Sequence, residues 1–310
     1  MKRLFLLSLT IVAVSFYALT GAAQAQATRT WISGVGDDVN PCSRTAPCKT
    51  FPGAISKTAN CGEIDALDPG GFGAVTITKS ITLDGGGGQN ASILTNGAPG
   101  ITVNNQDTTC RSVIIRNLRI VGNGSTLGTT GINVVSTSAG AVSVENDFIN
   151  NFSQTCINVN ASQPQLVSVV GSVLEFCAGG GFSSSSPAAT NRVNIVNTVI
   201  TGNSIGVSAH ANTDIFMQGD EVSNNTTGGV LADTNSTAKI DIDRSSVVNN
   251  LGYGVHATAG SFIGLSNTAV TYNSGQGLLA DGGASLVTWS NNYVAGNNPD
   301  GTRTGTITPM

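Results

Sequence analysis

The sequence has 310 residues and a formal net charge of −4, with 10% charged and 5% aromatic residues. Valine and isoleucine recur regularly among 39 glycines, which excludes a disordered polar chain and indicates a buried core. The excess of acidic over basic residues argues against nucleic acid or an anionic lipid surface as the partner.

The N-terminus has the layout of a bacterial signal peptide. Lys2 and Arg3 precede an apolar stretch over residues 4–19, and a small-residue A-x-A sequence ends at Ala25, with an equally good frame two residues later. We expect a Sec-type signal over residues 1–25 and a secreted or periplasmic chain without membrane insertion. An uncleaved anchor is the alternative, but the apolar run is short for one. Removing two basic residues leaves 12 basic and 18 acidic, a net charge of −6.

The six cysteines all lie in the mature part, where an oxidising compartment lets disulfides persist. Cys42 and Cys48 are close enough to close one loop. The pairing of the other four stays open from the sequence, although a separation of 21 residues, close to the repeat length of the chain, favours a bridge between Cys156 and Cys177 on neighbouring coils. A zinc site is the alternative, but no CxxC motif or histidine pairing supports it. The remaining cysteines are Cys61 and Cys110.

A short amphipathic helix is predicted within residues 49–59. Phe51, Ala54 and Ile55 fall on one helical face, Thr50 is a suitable N-cap, and Pro52 stands in the first turn. We expect this helix to cap the N-terminal end of the folded domain. No comparable cap is evident at the C-terminal end.

A repeat of about 20–25 residues starts near residue 112 and runs to the end of the chain. Each copy has an apolar-x-apolar strand, an Asn or small residue, a second apolar pair, a polar turn and then Gly-apolar-x-apolar. Turn asparagines recur at spacings of 22, 25, 23 and 24 residues. They are Asn203, Asn225, Asn250, Asn273 and Asn297.

Three short strands in so short a period fit a β-solenoid better than the common helical or propeller repeats. Because hexapeptide periods are absent, we predict an all-β, right-handed parallel β-helix with three strands per coil. Residues 26–111 would form the cap and first coils, continuous with the repeats over 112–310. In the last repeat, Val287 and Trp289 are expected to face inward.

Two further columns are interpreted as structural rather than ligand-binding. One is an asparagine column after the first strand, where stacked amides tolerate left-handed geometry. The other is a glycine column that precedes the third strand, for which a sharp turn with positive φ is the expected reason. The first column comprises Asn117, Asn146, Asn197, Asn267 and Asn291, and the second Gly206, Gly229, Gly254, Gly277 and Gly301.

The N-terminal run Trp31-Ile32-Ser33-Gly34-Val35-Gly36-Asp37-Asp38, followed by Pro47-Cys48-Lys49-Thr50-Phe51 and Ala54-Ile55, resembles the opening of bacterial right-handed β-helix repeat proteins of the pectin-lyase-like fold. The resemblance covers essentially all of the mature chain. It implies the fold, but this fold serves lyases, hydrolases, epimerases and adhesins alike. The catalytic motifs of polygalacturonases and pectate lyases have no counterpart in this sequence.

The repeat register brings two polar groups of residues together. His210, Asp233 and Asp281 fall in one outward column, with His256 one column over, and an imidazole beside a carboxylate can perform acid–base chemistry. A solvated outer face is the competing interpretation of these catalytic candidates.

The second group is Asp241, Asp243 and Arg244 on one strand, with Asp220 and Glu221 on the coil before. The two strand aspartates should face outward, where they would hold Ca²⁺ or bind sugar hydroxyls. A salt-bridged edge explains them as well. No resident cofactor is otherwise expected.

The leading functional hypothesis is an exported, non-catalytic solenoid that binds extracellular polysaccharide or cell-envelope components. A polysaccharide lyase or glycoside hydrolase with an atypical site is the first alternative, and a cell-surface adhesin is the second. The tryptophans Trp31 and Trp289 would suit stacking on sugars, although an inward Trp289 would be buried.

Overall fold

A computed structural model describes residues 26–88, 91–233 and 237–307, in which the chain winds into a three-faced parallel β-solenoid. The signal sequence expected over residues 1–25 lies outside the described residues. Within the described chain there are 31 strands, β1 to β31, and one short helix, α1 (Phe51–Ile55). No helix among the described residues has the length and apolar character needed to cross a membrane.

Each coil contributes one strand to each of three sheets. In the described chain the first sheet has 12 strands, in the order β1 (Ala27–Ile32), β2 (Thr58–Ala66), β5 (Ile81–Asp84), β8 (Ser112–Arg116), β11 (Gly140–Glu145), β14 (Gln165–Val170), β17 (Asn191–Val196), β20 (Thr213–Gln218), β23 (Ala238–Asp243), β26 (Phe262–Ser266), β29 (Ser285–Thr288) and β31 (Gly305–Thr306). The second has ten, namely β3 (Gly70–Gly71), β6 (Ala91–Thr95), β9 (Leu118–Gly122), β12 (Phe148–Asn150), β15 (Val173–Glu175), β18 (Val199–Thr201), β21 (Glu221–Ser223), β24 (Ser246–Val248), β27 (Ala269–Thr271) and β30 (Tyr293–Ala295). The third has nine, namely β4 (Val75–Ile77), β7 (Ile101–Val103), β10 (Ile132–Val134), β13 (Thr155–Asn160), β16 (Gly180–Ser185), β19 (Ile205–Ala209), β22 (Gly228–Ala232), β25 (Tyr253–Ala257) and β28 (Leu278–Ala280).

The core is built from stacked columns of branched side chains. Val193 of β17 pairs in register with Ile215 of β20, which pairs with Ile240 of β23, and all three are at most 3% exposed. Alternation along each strand places these residues inside and their neighbours on an outer face. The predicted repeat and its three strands per coil are confirmed.

The turn after the second sheet contains the predicted asparagine ladder. Nδ2 of Asn225 donates to Oδ1 of Asn250 at 2.9 Å, and Nδ2 of Asn250 donates to Oδ1 of Asn273 at 2.8 Å. Nδ2 of Asn273 continues to Asn297 at 2.8 Å, and Asn297 donates in turn to Asp300. These amides are therefore engaged with one another inside the solenoid.

The glycine column has a different cause from the one expected. Of its members only Gly301 has a positive φ. A Cβ at Gly254 would stand 2.6 Å from Cγ1 of Val270 and 2.8 Å from Nδ2 of Asn273, both on the next coil. The prediction of a positive-φ turn was wrong there, because glycine is needed so that the ladder asparagine of the following coil can pack against the backbone.

The N-terminal end is covered by α1, as the sequence predicts, although the helix is only five residues long. Oγ1 of Thr50 accepts the N–H of Gly53 at 3.0 Å, so Thr50 is the N-cap. Phe51 and Ala54 are buried in the core, and Ile55 packs against it while partly exposed. Disulfides join Cys42 to Cys48, Cys61 to Cys110 and Cys156 to Cys177.

The last coils differ from the prediction by one residue. Leu286 pairs with Ile263 and Thr288 with Leu265, so these two residues face inward and Trp289 faces outward, half-buried. For the same reason Ser290 has the positive φ that was expected at Asn291. The expectation of an inward Val287 and Trp289 was wrong, because the run Leu286-Val287 offers two apolar frames. Beyond this coil, β31 pairs with β29, and a cavity of about 640 Å³ opens beside Leu278 and Val294.

Candidate functional site

The outward-facing residues of the first sheet form a long surface, called here the first face. Near its C-terminal end, Asp241 of β23 pairs with Phe216 on the coil before and with Gly264 on the coil after. Asp243 stands two residues along the same strand. Both aspartates face outward, as the sequence predicts, but their surroundings differ.

Asp243 is held by the protein itself. Its carboxylate accepts hydrogen bonds from Oγ of Ser266 at 2.7 Å and Nδ2 of Asn267 at 3.2 Å, and it forms an ion pair with Arg244 at 3.1 Å. The hydrogen bond from Ser266 is the main reason that the pKa of Asp243 lies below its usual range. Asp243 and Arg244 therefore form the salt-bridged edge that the sequence left as an alternative.

Asp241 is exposed, and within the described residues no group donates a hydrogen bond or forms an ion pair to its carboxylate. Its pKa is raised, first by partial removal of water around the carboxyl group and then by the charge of Asp214, against a smaller opposing effect of Lys239. Of the two strand aspartates, Asp241 is thus the one that is free to meet a ligand, whereas Asp243 is engaged.

Two aromatic rings converge beside Asp241. A Cβ at Gly264 would collide with the Asp241 carboxylate and would lie 3.1 Å from Cζ3 of Trp289 and 3.3 Å from Cε1 of Phe262. Gly264 is buried even though it is an outward position of β26, since these side chains cover it. Phe262 and Gly264 were not predicted as site residues from the sequence. The signal available in the sequence was a glycine at an outward position that carries a side chain in the other repeats.

Asp220 does not join this group. It is 2% exposed and lies in the turn after the first sheet, where Oδ1 accepts the N–H of Thr198 at 2.8 Å and Oδ2 accepts the N–H of Gln218 at 2.9 Å. Burial raises the pKa of Asp220 to about 7. Because its carboxylate is enclosed by backbone, the prediction that Asp220 forms part of a surface binding group was wrong.

The turn that contains Asp220 forms a second, mixed ladder. The N–H of Asp220 donates to Oγ of Ser245 at 3.1 Å, and the N–H of Thr268 donates to Oδ1 of Asn292 at 2.9 Å. Glu221 begins β21 and is exposed on the second sheet, where it accepts from Oγ of Ser223 at 2.9 Å. The structure therefore places Glu221 on a different face from Asp241.

A charged group at the other end of the first face was not foreseen. Carboxylate oxygens of Glu63, Asp65 and Asp84 lie within 4.8 Å of one another. Arg116 forms ion pairs with Glu63 at 3.0 Å and with Asp84 at 2.8 Å, and Arg29 pairs with Asp65. These arginines neutralise oxygens that a cation would otherwise use. The first coils have unequal lengths, so spacing in the sequence did not reveal the group.

On the third sheet the predicted histidine–aspartate column is formed. Nδ1 of His210 lies 2.6 Å from Oδ1 of Asp233, and Nε2 of His256 lies 3.0 Å from Oδ2 of Asp281. Tyr253 packs edge-on against His256, and burial raises the Tyr253 pKa to about 12. Hydrogen bonds from Thr258 and then His256 keep the pKa of Asp281 low. Both pairs have the geometry needed for proton transfer.

The coils, turns and three parallel sheets define a right-handed parallel β-helix. A model of the family described as "Right handed beta helix region" matches residues 130–298, and the chain belongs to this family. Pectate lyase Pel9A has a similar structure, with 13% identity, a TM-score of 0.60 and coverage of 90% of this chain and 82% of that one. The A-module of the Azotobacter vinelandii mannuronan C-5 epimerase AlgE6 gives 17% identity and a TM-score of 0.53, covering 74% and 73%.

The AlgE4 A-module from the same organism gives 16% identity and a TM-score of 0.52, covering 80% of this chain and 91% of that one. At these identities the similarity concerns the fold. No curated protein sequence matches the chain.

Proposed function

We propose that this chain is an exported β-helix protein that binds polysaccharide on its first face. The observation that carries the proposal is the free carboxylate of Asp241 beside the rings of Phe262 and Trp289. Aromatic rings stack on the apolar faces of sugar rings, while a carboxylate accepts hydrogen bonds from sugar hydroxyls. Proteins of similar fold are named for pectate and mannuronan, which supports this ligand class.

The shape of the first face suits an extended polymer. Twelve strands at a spacing of about 4.8 Å give a surface roughly 50 Å long. Its middle coils carry the outward residues Ser168 and Asn194 in the column of Asp241. A polymer lying along the solenoid axis would meet short polar side chains first and the aromatic site at one end.

The surroundings of the neighbouring carboxylates favour binding over cleavage at this site. Hydrolysis of a glycosidic bond uses two carboxyl groups with separate roles. Along the strand of Asp241 the second carboxylate, Asp243, is engaged by Ser266, Asn267 and Arg244. On the coil before, Asp214 pairs in register with Lys239. Ca²⁺ bound through Asp241 would strengthen contact with an acidic polymer, so binding is to be measured with and without this ion. Export through the signal over residues 1–25 is part of the proposal and is consistent with three disulfides.

The alternative function is cleavage at the third sheet. The close contact of His210 with Asp233, and of His256 with Asp281, favours it because each pair could supply an acid and a base. A polysaccharide lyase or glycoside hydrolase would then work on this face.

One experiment separates the two functions. The mature protein is incubated with acidic, neutral and basic polysaccharides, and retention on insoluble polymer is measured together with release of reducing or unsaturated ends. We expect retention without release, reduced in Trp289→Ala and unchanged in His210→Ala and His256→Ala. Release of ends that disappears in either histidine variant would contradict the proposal and assign the alternative.

A further inference from the structure

We propose that Trp289, Phe262 and Asp241 form a subsite for a sugar ring that carries an ammonium group, as in a polymer of 2-amino sugars. The inference rests on the polysaccharide-binding function proposed above and adds the chemical class of the sugar. It follows from the shape of the site, the exposure of the indole and the charges around it.

Gly264 creates the space for the subsite. It is the one glycine in its outward column of the first sheet from β2 to β29, in which the other nine residues all carry side chains. Any Cβ at Gly264 would displace the Asp241 carboxylate and crowd both rings. The missing side chain therefore lets a carboxylate and two aromatic rings meet at one point of the face.

The indole is held in place but remains accessible. Trp289 follows the inward Thr288, and its backbone N–H donates to the carbonyl of Leu265 at 3.2 Å. Trp289 is half-buried, and Cζ3 of its ring lies close to Gly264. An aromatic ring with one side fixed by packing gives a stacking surface at a small cost in side-chain entropy.

The charges at the subsite favour a cation. Asp241 lacks an ion pair in the described chain, whereas the nearby Arg244 is already paired with Asp243. Asp214 adds a second negative charge close enough to act on Asp241, and Lys239 offsets it in part. An ammonium group beside Asp241 and over the indole gains an ion pair and a cation–π contact together. A uronate carboxylate at the same place would be repelled.

The test compares three oligosaccharides of equal length by titration calorimetry. They are oligomers of glucosamine, N-acetylglucosamine and galacturonic acid, measured at a mildly acidic pH that keeps the amines protonated. The variants are Asp241→Asn and Trp289→Ala, with Tyr293→Ala as the matched control because Tyr293 is an exposed aromatic residue on the second sheet. Thermal unfolding of each variant shows whether its fold is retained.

We expect the glucosamine oligomer to bind most tightly. Asp241→Asn should weaken it about fivefold while leaving the N-acetylated oligomer unchanged. Trp289→Ala should weaken both about tenfold or more, and Tyr293→Ala neither. If galacturonate binds as tightly, or if Asp241→Asn affects every oligomer equally, the amino-sugar subsite is overturned while polysaccharide binding stands. If no oligomer and no polymer binds, both proposals fail.

Discussion

The side chain of Asn250 joins three coils. Its Nδ2 donates to Oδ1 of Asn273 at 2.8 Å on one side, and its Oδ1 accepts the backbone N–H of Asn225 at 3.0 Å on the other. All three residues are buried. Asn250→Ala would leave the buried backbone N–H of Asn225 without its acceptor and would remove one of the two hydrogen bonds to Oδ1 of Asn273, so we expect a loss of about 2–4 kcal/mol in the free energy of unfolding.

Urea denaturation followed by circular dichroism measures this loss. Ser274→Ala is the matched control, since Ser274 is exposed in the same turn, and it should change stability by less than about 0.5 kcal/mol. If the two variants were equally stable, the side-chain hydrogen bonds of the ladder would contribute nothing to the free energy of unfolding.

Substitution of Gly254 should also destabilise the fold, because Gly254 packs against the asparagine ladder. A Cβ there would overlap Val270 and Asn273 on the next coil, so Gly254→Ala is expected to cost about 1–3 kcal/mol through overpacking. Gly87→Ala is the control, because a Cβ at Gly87 meets nothing within 4 Å and Gly87 does not have a positive φ. Denaturation curves in which both variants match the wild type would refute the packing explanation of the glycine column.

Asp220 should make stability depend on pH. Its pKa is raised to about 7 by burial, so between about pH 4 and pH 7 the folded chain holds a proton that the unfolded chain has lost. The stability supplied by this proton is complete below about pH 4 and declines as the pH rises to 7, by an amount on the order of 4 kcal/mol.

Asp220→Ser removes this titration while keeping the ladder contact, because Ser245, at the equivalent position of the next coil, accepts the backbone N–H of Asp220 through its own hydroxyl. The difference between wild-type and variant unfolding free energies should therefore change between pH 4 and pH 7 and stay constant above that range. A difference that is independent of pH over the whole range would mean that Asp220 does not titrate in this way.

The repeat could be predicted because the turn asparagines and the inward valines and isoleucines recur at nearly constant spacing. From Asn203 to Asn297 each ladder residue stacks on the next through amide or backbone bonds. The same regularity predicted the histidine–aspartate column, since His210 and Asp233 directly follow paired strands.

The aromatic site could not be predicted in the same way. Its position depends on whether Trp289 faces inward or outward. From the sequence, either Leu286 or Val287 could face inward, and the pairing of Leu286 with Ile263 selects Leu286. The position of Asp220 was predicted wrongly for a related reason, because a turn residue between two sheets does not follow the inside–outside alternation of a strand. The local apolar pattern predicts the strands well, whereas the orientation of residues at the strand ends depends on pairing with the neighbouring coil.

Binding at the first face is tested most directly by the fluorescence of Trp289. The chain has two tryptophans, so Trp31→Phe leaves Trp289 as the single indole reporter. Titrating this variant with a polysaccharide that the wild-type protein retains should change the intensity or wavelength of the emission along a saturable curve, with a midpoint matching the binding constant. Saturable retention of the polymer without any change in the emission of Trp289 would contradict binding beside Trp289 and place the binding site elsewhere on the solenoid.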